Sequence, residues 1–395
     1  MTDNKEAQKA IIGLQLWADG MLIPQQRQAF FVGGYFVRHP KIFETLKLDK
    51  MKKMKKTILI ILVSITFFAC NQSSKSSMNS VETTTLDTTY EIKTGGTKMI
   101  QVDGKYNVWT KKIGDGKIKI LLLHGGPGFT HDYFECFEDF LPKEGIEFYY
   151  YDQLGVGNSD IPTDTSLWNI PRYVEEVEQV RKGLGLENFY LLGHSWGSML
   201  AMEYLQKYQS HVKAAVLSNM TAGIKSYVSY SNKQKNEFLS KEELSTFDSL
   251  DKRKLYDSPE YQNLLMNKLY TRNVCRMPVK NWPEPLMRAF KKANHSIYVQ
   301  MQGVDEFHVT GNFKDWEMWD RLPNIKVPTL VIGGIYDEMN PEDMKKEGQL
   351  IPNSRTYLCP NGSHLSMYDD QKNYFTNLVS FLKDVENNKF VADKK

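Results

Sequence analysis

Cysteine is scarce in this chain: four in 395 residues (Cys70, Cys136, Cys275 and Cys359), with no C-x-x-C pair. That spacing offers neither a disulfide framework nor a thiolate zinc site. Net charge is also small, 50 Lys+Arg against 47 Asp+Glu giving +3, which argues against a nucleic-acid binder resting on a broad basic field. No internal repeat is visible. What the chain does have is 41% hydrophobic and 12% aromatic residues. Those are the proportions of a folded globular protein long enough for two or three domain-sized units and a sizeable core. Its chemistry is expected to rest on ordinary side chains, with no metal and no cofactor.

A targeting signal sits some way into the chain. From Met51 it reads MKKMKK, then the apolar run TILIILVSITFFA (57–69), then Cys70 and NQSSKSS. A lysine cluster, a short apolar run and a small residue before a cut form a secretory signal peptide, and thirteen residues fall short of the about twenty that span a bilayer. The ending Phe67-Phe68-Ala69-Cys70 resembles a bacterial lipobox, in which the Cys is acylated, although the first position is usually Leu. The expectation is a lipid anchor at Cys70 and a place in the bacterial cell envelope, or the cytoplasm if the signal is not used. Residues 1–50 then read as an over-extended start or an N-terminal extension, 51–69 as the signal, and the Ser/Thr-rich 70–89 as a flexible tether. Residues 1–69 carry 11 Lys+Arg against 5 Asp+Glu, so the remaining chain, with 39 against 42, is slightly acidic.

Beyond Tyr90 the pattern alternates. Six apolar runs (117–125, 147–155, 188–195, 212–219, 328–337 and 354–364) read as strands buried on both faces of a sheet, and helical patterns at 173–185 and 198–208 lie between them. Strand and helix in alternation imply a parallel sheet covered by helices. Residues 222–320 break the rhythm with several helical stretches and no long apolar strand, which reads as a helical cap inserted into a body of 90–221 and 321–395.

Gly193-His194-Ser195-Trp196-Gly197 follows one strand and opens a helix, the strand-turn-helix setting that gives a G-x-S-x-G nucleophile elbow its meaning. A serine hydroxyl needs a base, and the base needs an acid to fix its tautomer. On this architecture the order is Ser, acid, His. Asp337, read as the end of a strand, and His364, the one histidine after it, complete the set; His124, His194, His211, His295 and His308 all precede the acid. Tetrahedral intermediates also need preorganised N–H donors. His124-Gly125-Gly126-Pro127-Gly128 follows an earlier strand, and the amides of Gly126 and Trp196 are assigned to that task.

HGGPG, YDQLGVGNSD (151–160), GHSWGS and the later DEF, YDE and SH together resemble the proline iminopeptidases of the α/β-hydrolase fold over about residues 90–385. The resemblance implies an exopeptidase that releases an N-terminal residue, preferably proline, from short peptides, with its triad on Ser195, Asp337 and His364 and its oxyanion hole on Gly126 and Trp196. It also implies two glutamates that bind the substrate's free amino terminus, here Glu306 and Glu338. A buried cation must be paired, which is why two carboxylates would favour a free N-terminus over an acylated one. Many members carry Arg where Leu154 stands. Phe307 and Trp196 are candidates for gripping the pyrrolidine ring. Two other readings stay open: an esterase, lactonase or amidase of the same fold, and a surface lipoprotein that binds a partner without catalysis.

Overall fold

The computed structural model describes residues 94–394, together with the backbone of two short paired strands, Phe31–Val32 and Tyr35–Phe36. The chain divides into two units, Met1–Thr88 and Thr89–Lys395. The expected signal segment and Cys70 lie outside the described residues. Among the described residues no helix is long and apolar enough to cross a membrane.

The second unit is built on eight strands: β1 (Thr97–Val102), β2 (Tyr106–Ile113), β3 (Ile118–Leu123), β4 (Ile146–Tyr151), β5 (Phe189–His194), β6 (Val212–Ser218), β7 (Thr329–Gly334) and β8 (Ser354–Cys359). They lie in the order β8-β7-β6-β5-β3-β4-β2-β1. β2 runs antiparallel to both its neighbours and every other adjacent pair is parallel. The six apolar runs form the six strands from β3 to β8. Every residue of β4, β5 and β7 is buried, as a strand covered on both faces requires.

Two strands have no counterpart among those runs. β1 and β2 form an edge hairpin in which β1 buries little besides Ile100 and Val102, so a search for continuous apolar runs passes over them. The legible signal is Asp103-Gly104 at the turn, with φ of 53° and 63°, the left-handed pair that a tight hairpin favours.

Helices α1 (Ile170–Leu184) and α2 (Trp196–Tyr208) follow β4 and β5. Between β6 and β7 lies a helical insertion with α3 (Ile224–Phe238), α4 (Lys241–Lys252), α5 (Pro259–Leu264), α6 (Glu284–Lys292) and α7 (His295–Met301). Then come α8 (Pro341–Leu350) and α9 (Gln371–Glu386). One apolar layer joins Leu121, Leu123, Leu191 and Val331 of the sheet to Val177 of α1, Leu200 of α2 and Met344 of α8. The other joins Ile120, Leu122, Leu192 and Ile332 to Leu378, Phe381 and Leu382 of α9. Each such fully buried side chain contributes about 1.5–3 kcal/mol, which fixes the sheet and therefore the loops at its C-terminal edge. The insertion is tied to the body by Arg288 of α6, whose guanidinium meets Asp132 at 2.8 Å and Glu135 at 2.7 Å. Cys136, Cys275 and Cys359 are buried and free.

Candidate active site

The turn from β5 into α2 puts Ser195 at φ 55°, ψ −126°, a conformation costly for a residue with a Cβ. The turn is possible because Gly193 and Gly197 flank it: a Cβ on Gly193 would collide with the Gly197 carbonyl, and one on Gly197 with the Leu123 carbonyl. Ser195 N–H donates to Ser218 O at 2.9 Å, which anchors the elbow to β6. The next amide, of Trp196, is the first of α2, where N–H groups lack intrahelical acceptors and carry the positive end of the dipole.

Asp337 and His364 are hydrogen-bonded, His364 Nδ1 to Asp337 Oδ1 at 2.9 Å. Asp337 does not end a strand as expected. β7 stops at Gly334, and Ile335 and Tyr336 beyond it stand 41% and 43% exposed. The carboxylate is held from three sides, since Met339 N–H also donates to Oδ1 at 3.0 Å and Asn219 Nδ2 to Oδ2 at 2.8 Å. Burial by itself would lower the pKa of His364, but the charge and hydrogen bond of Asp337, with Glu306 adding to them, carry it above its ordinary value.

The HGGPG loop lies against the elbow. Gly125 N–H donates to Tyr133 Oη at 2.5 Å. Gly126, at φ +124°, leaves no room for a Cβ beside Gly128 and Phe129 and lines the same cavity as Ser195. Asp152 and Gln153 brace this region. Asp152 accepts from His131 N–H at 3.0 Å and from Asn158 N–H at 2.8 Å. Gln153 donates to His124 O at 3.0 Å and accepts from Trp196 Nε1 at 2.9 Å. Burial pushes His124 down to about 4, so it serves as a neutral hydrogen-bonding group.

Ser195, Gly126, His364, Glu306 and Glu338 line one cavity of about 170 Å³. Glu306 is held by Tyr298 Oη on Oε1 at 2.5 Å, and by Tyr227 Oη at 2.5 Å and Gln302 Nε2 at 3.0 Å on Oε2. Glu338 is fully buried, and neither carboxylate oxygen has a hydrogen-bond partner; its nearest basic atom is His364 Nε2 at 3.6 Å. Burial raises the pKa of both carboxyls, that of Glu338 well above its usual range because Glu306 and Asp337 add negative charge. The rest of the wall is largely apolar, with Phe129, Phe290 and Leu286 on one side and Leu265, Met266 and Tyr270 on the single π turn that continues α5.

Two expectations about this wall fail. The Trp196 indole turns away from the cavity, bonding to Gln153 of the body and stacking on Phe313 of the insertion at 5.9 Å. Phe307 is buried against Phe247 at 6.4 Å. Neither side chain reaches the cavity, because adjacency in sequence to a site residue does not put neighbours on the same face. Sequence reading also missed Asn219, His194, Tyr133, Tyr227 and Tyr298, all of which hold site residues in place. Asn219 has one local mark, a φ of 54° at the end of β6.

The family pattern described as the alpha/beta hydrolase fold matches residues 119–371. The proline iminopeptidase of Chitinophaga pinensis is 49% identical over 287 residues, 72% of this chain and 96% of that protein. Among solved structures, VinJ aligns with a TM-score of 0.69 at 29% identity, over 73% of this chain and 98% of that one. The proline iminopeptidase of Mycobacterium smegmatis aligns with a TM-score of 0.68 at 26% identity, over 74% and 99%. The chain belongs to the proline iminopeptidase family of α/β hydrolases.

Proposed function

We propose that this family member is a serine exopeptidase that releases N-terminal proline, or another small residue, from short peptides through an acyl-enzyme. In this reading Ser195 Oγ attacks the first peptide carbonyl as His364 Nε2 takes its proton, and Asp337 holds the ring and stabilises the imidazolium. The amides of Gly126 and Trp196 receive the oxyanion. The imidazolium then protonates the leaving amine, and water, activated by the same ring, releases the acyl group. Glu306 and Glu338 receive the substrate's protonated N-terminus.

The observation that carries this reading is Glu338. A buried carboxylate with both oxygens unpartnered is expensive, and a second carboxylate, Glu306, lines the same cavity as the serine. The site is short of one cation, and a substrate with a free amino terminus supplies it. The test is paired turnover of proline and N-acetylproline arylamides. Rapid cleavage of the first alone supports the reading; equal turnover of both would point to an esterase or amidase without an N-terminus clamp.

We also propose that the mature protein is lipid-anchored through Cys70 in the bacterial cell envelope. Support comes from the order of the lysine cluster, the apolar run, Ala69 and Cys70 along the chain. Mass analysis of the native N-terminus decides it: a diacylglyceryl-modified Cys70 as first residue is expected, and an unmodified chain that retains residues 51–69 overturns it.

A further inference from the structure

The imidazole of His364 lies between two carboxylates. Asp337 Oδ1 is 2.9 Å from Nδ1 and Glu338 Oε1 is 3.6 Å from Nε2. Nε2 is the nitrogen that must be unprotonated to accept the serine proton. The ring is only 7% exposed and Glu338 not at all, so water screens little of the interaction between them. We propose that in the free enzyme Glu338 and His364 form an ion pair that keeps a proton on Nε2, and that the cationic N-terminus of the substrate displaces that proton and so frees His364 to act as the base. The proposal rests on the peptidase reading above and adds that recognition of the N-terminus switches on the base.

The charged groups around the ring support this from every side. Asp337 and Glu338 face it from the loop after β7, Glu306 from the insertion and Asp369 from the turn that follows the histidine. His194, with its ring centroid 5.0 Å away, is kept neutral by burial. Glu338 itself faces the negative groups Glu306, Asp337 and Asp305. With no other cation among these groups, a second proton on the imidazole is the positive charge the cluster can recruit. An arriving ammonium takes over the carboxylates and repels the imidazolium, and the displaced proton leaves to solvent. The neutral ring then accepts the Ser195 Oγ proton as the Oγ–C bond forms. A charge of this kind within about 4–6 Å moves a pKa by about 1–3 units, so the ring gives up its proton at a lower pH once the substrate is bound. On this account an N-acylated substrate is disfavoured in reactivity as well as in affinity.

The experiment follows inactivation of Ser195 by diisopropyl fluorophosphate, a neutral reagent with no amine, from mildly acid to mildly alkaline pH. Three samples are compared: the wild-type protein, the same protein with saturating pyrrolidinium chloride, and Glu338→Gln. The expected result is that the pH midpoint of inactivation falls by about one unit or more in the second and third samples. The midpoint is read, not the plateau rate, so partial blocking of the site by pyrrolidinium does not obscure it. A midpoint unmoved by pyrrolidinium and by the substitution overturns the proposal, and the pyrrolidinium arm alone decides if Glu338→Gln fails to fold. Failure of the underlying reading shows separately, as equal turnover of proline and N-acetylproline arylamides, and would take this proposal with it.

Discussion

His194 Nε2 lies 2.8 Å from the backbone carbonyl of His364, so the residue just before the nucleophile holds the loop that carries the base. Its other nitrogen, Nδ1, lies 3.1 Å from Tyr133 Oη, and Tyr133 in turn accepts from Gly125 N–H. Burial keeps the His194 ring neutral, with one donor and one acceptor. The donor therefore faces the carbonyl and the acceptor faces the phenol. One continuous chain of hydrogen bonds runs from the HGGPG loop through the elbow to His364.

Replacing His194 by Ala breaks this chain at its centre. It leaves the His364 carbonyl and the Tyr133 hydroxyl without their partner, a cost of about 1–3 kcal/mol. A small misplacement of a catalytic group can cost up to about 100-fold in rate. The expected outcome is a fall in kcat of about ten-fold or more on a prolyl arylamide. His194→Gln, whose amide can still donate to the carbonyl, is expected to recover part of it. Steady-state kinetics of both variants checks this.

Asn219 Nδ2 donates to Asp337 Oδ2 at 2.8 Å, to Ser363 O at 2.9 Å and to Ser366 Oγ at 3.2 Å. In Asn219→Asp the donor becomes an acceptor and a second negative charge enters beside the first. More negative charge favours the imidazolium. Since activity needs the neutral base, the acid limb of the pH–rate profile is expected to move to higher pH, with kcat lowered throughout. A limb that stays in place or moves down would show that Asn219 does not act through Asp337 and His364.

Tyr227 donates to Glu306 Oε2 at 2.5 Å. Burial raises the pKa of Glu306, and this hydrogen bond opposes the rise. Tyr227→Phe therefore lifts that pKa further, so that the carboxylate protonates, and releases the substrate cation, at higher pH than in the wild type. A hydrogen bond to a charged group is worth about 1.5–3 kcal/mol. KM for a prolyl arylamide is expected to rise about ten-fold or more, most steeply on the acid side, as initial-rate measurements at several pH values would show.

Glu347 in α8 is fully buried with no hydrogen-bond partner for either oxygen, and burial followed by the charge of Asp343 raises its pKa well above the usual range. The folded state thus keeps the proton that the unfolded chain releases in mild acid. The stability this gives is full below the unfolded pKa and is lost as pH rises toward the folded one. Glu347→Gln removes the dependence, because the amide does not ionise. The variant is expected to melt higher than the wild type, with a margin that widens from mildly acid to neutral pH. Calorimetry at two pH values tests this.

Much of the framework was legible because it is encoded locally. A strand covered on both faces must be apolar throughout, so β3 to β8 stand out as runs. The edge hairpin β1–β2, open to solvent on one side, does not. β7 is shorter than its sequence suggests: Ile335 and Tyr336 have the composition of a strand, but they stand exposed beyond its end.

By itself the chain determined where a strained turn could form, because Gly193 and Gly197 must flank it, and in what order the serine, the acid and the histidine follow. Those are properties of contiguous residues. Only the tertiary structure decided that Asn219 meets Asp337 across 118 residues and that His194 meets the His364 loop across 170. It also decided that the Trp196 indole turns away from the cavity and that Glu338 is sealed inside it without a partner. Such pairings depend on which loops the packed sheet brings to one edge and on which buried groups find a donor there, and no short segment of sequence contains both halves of such a contact.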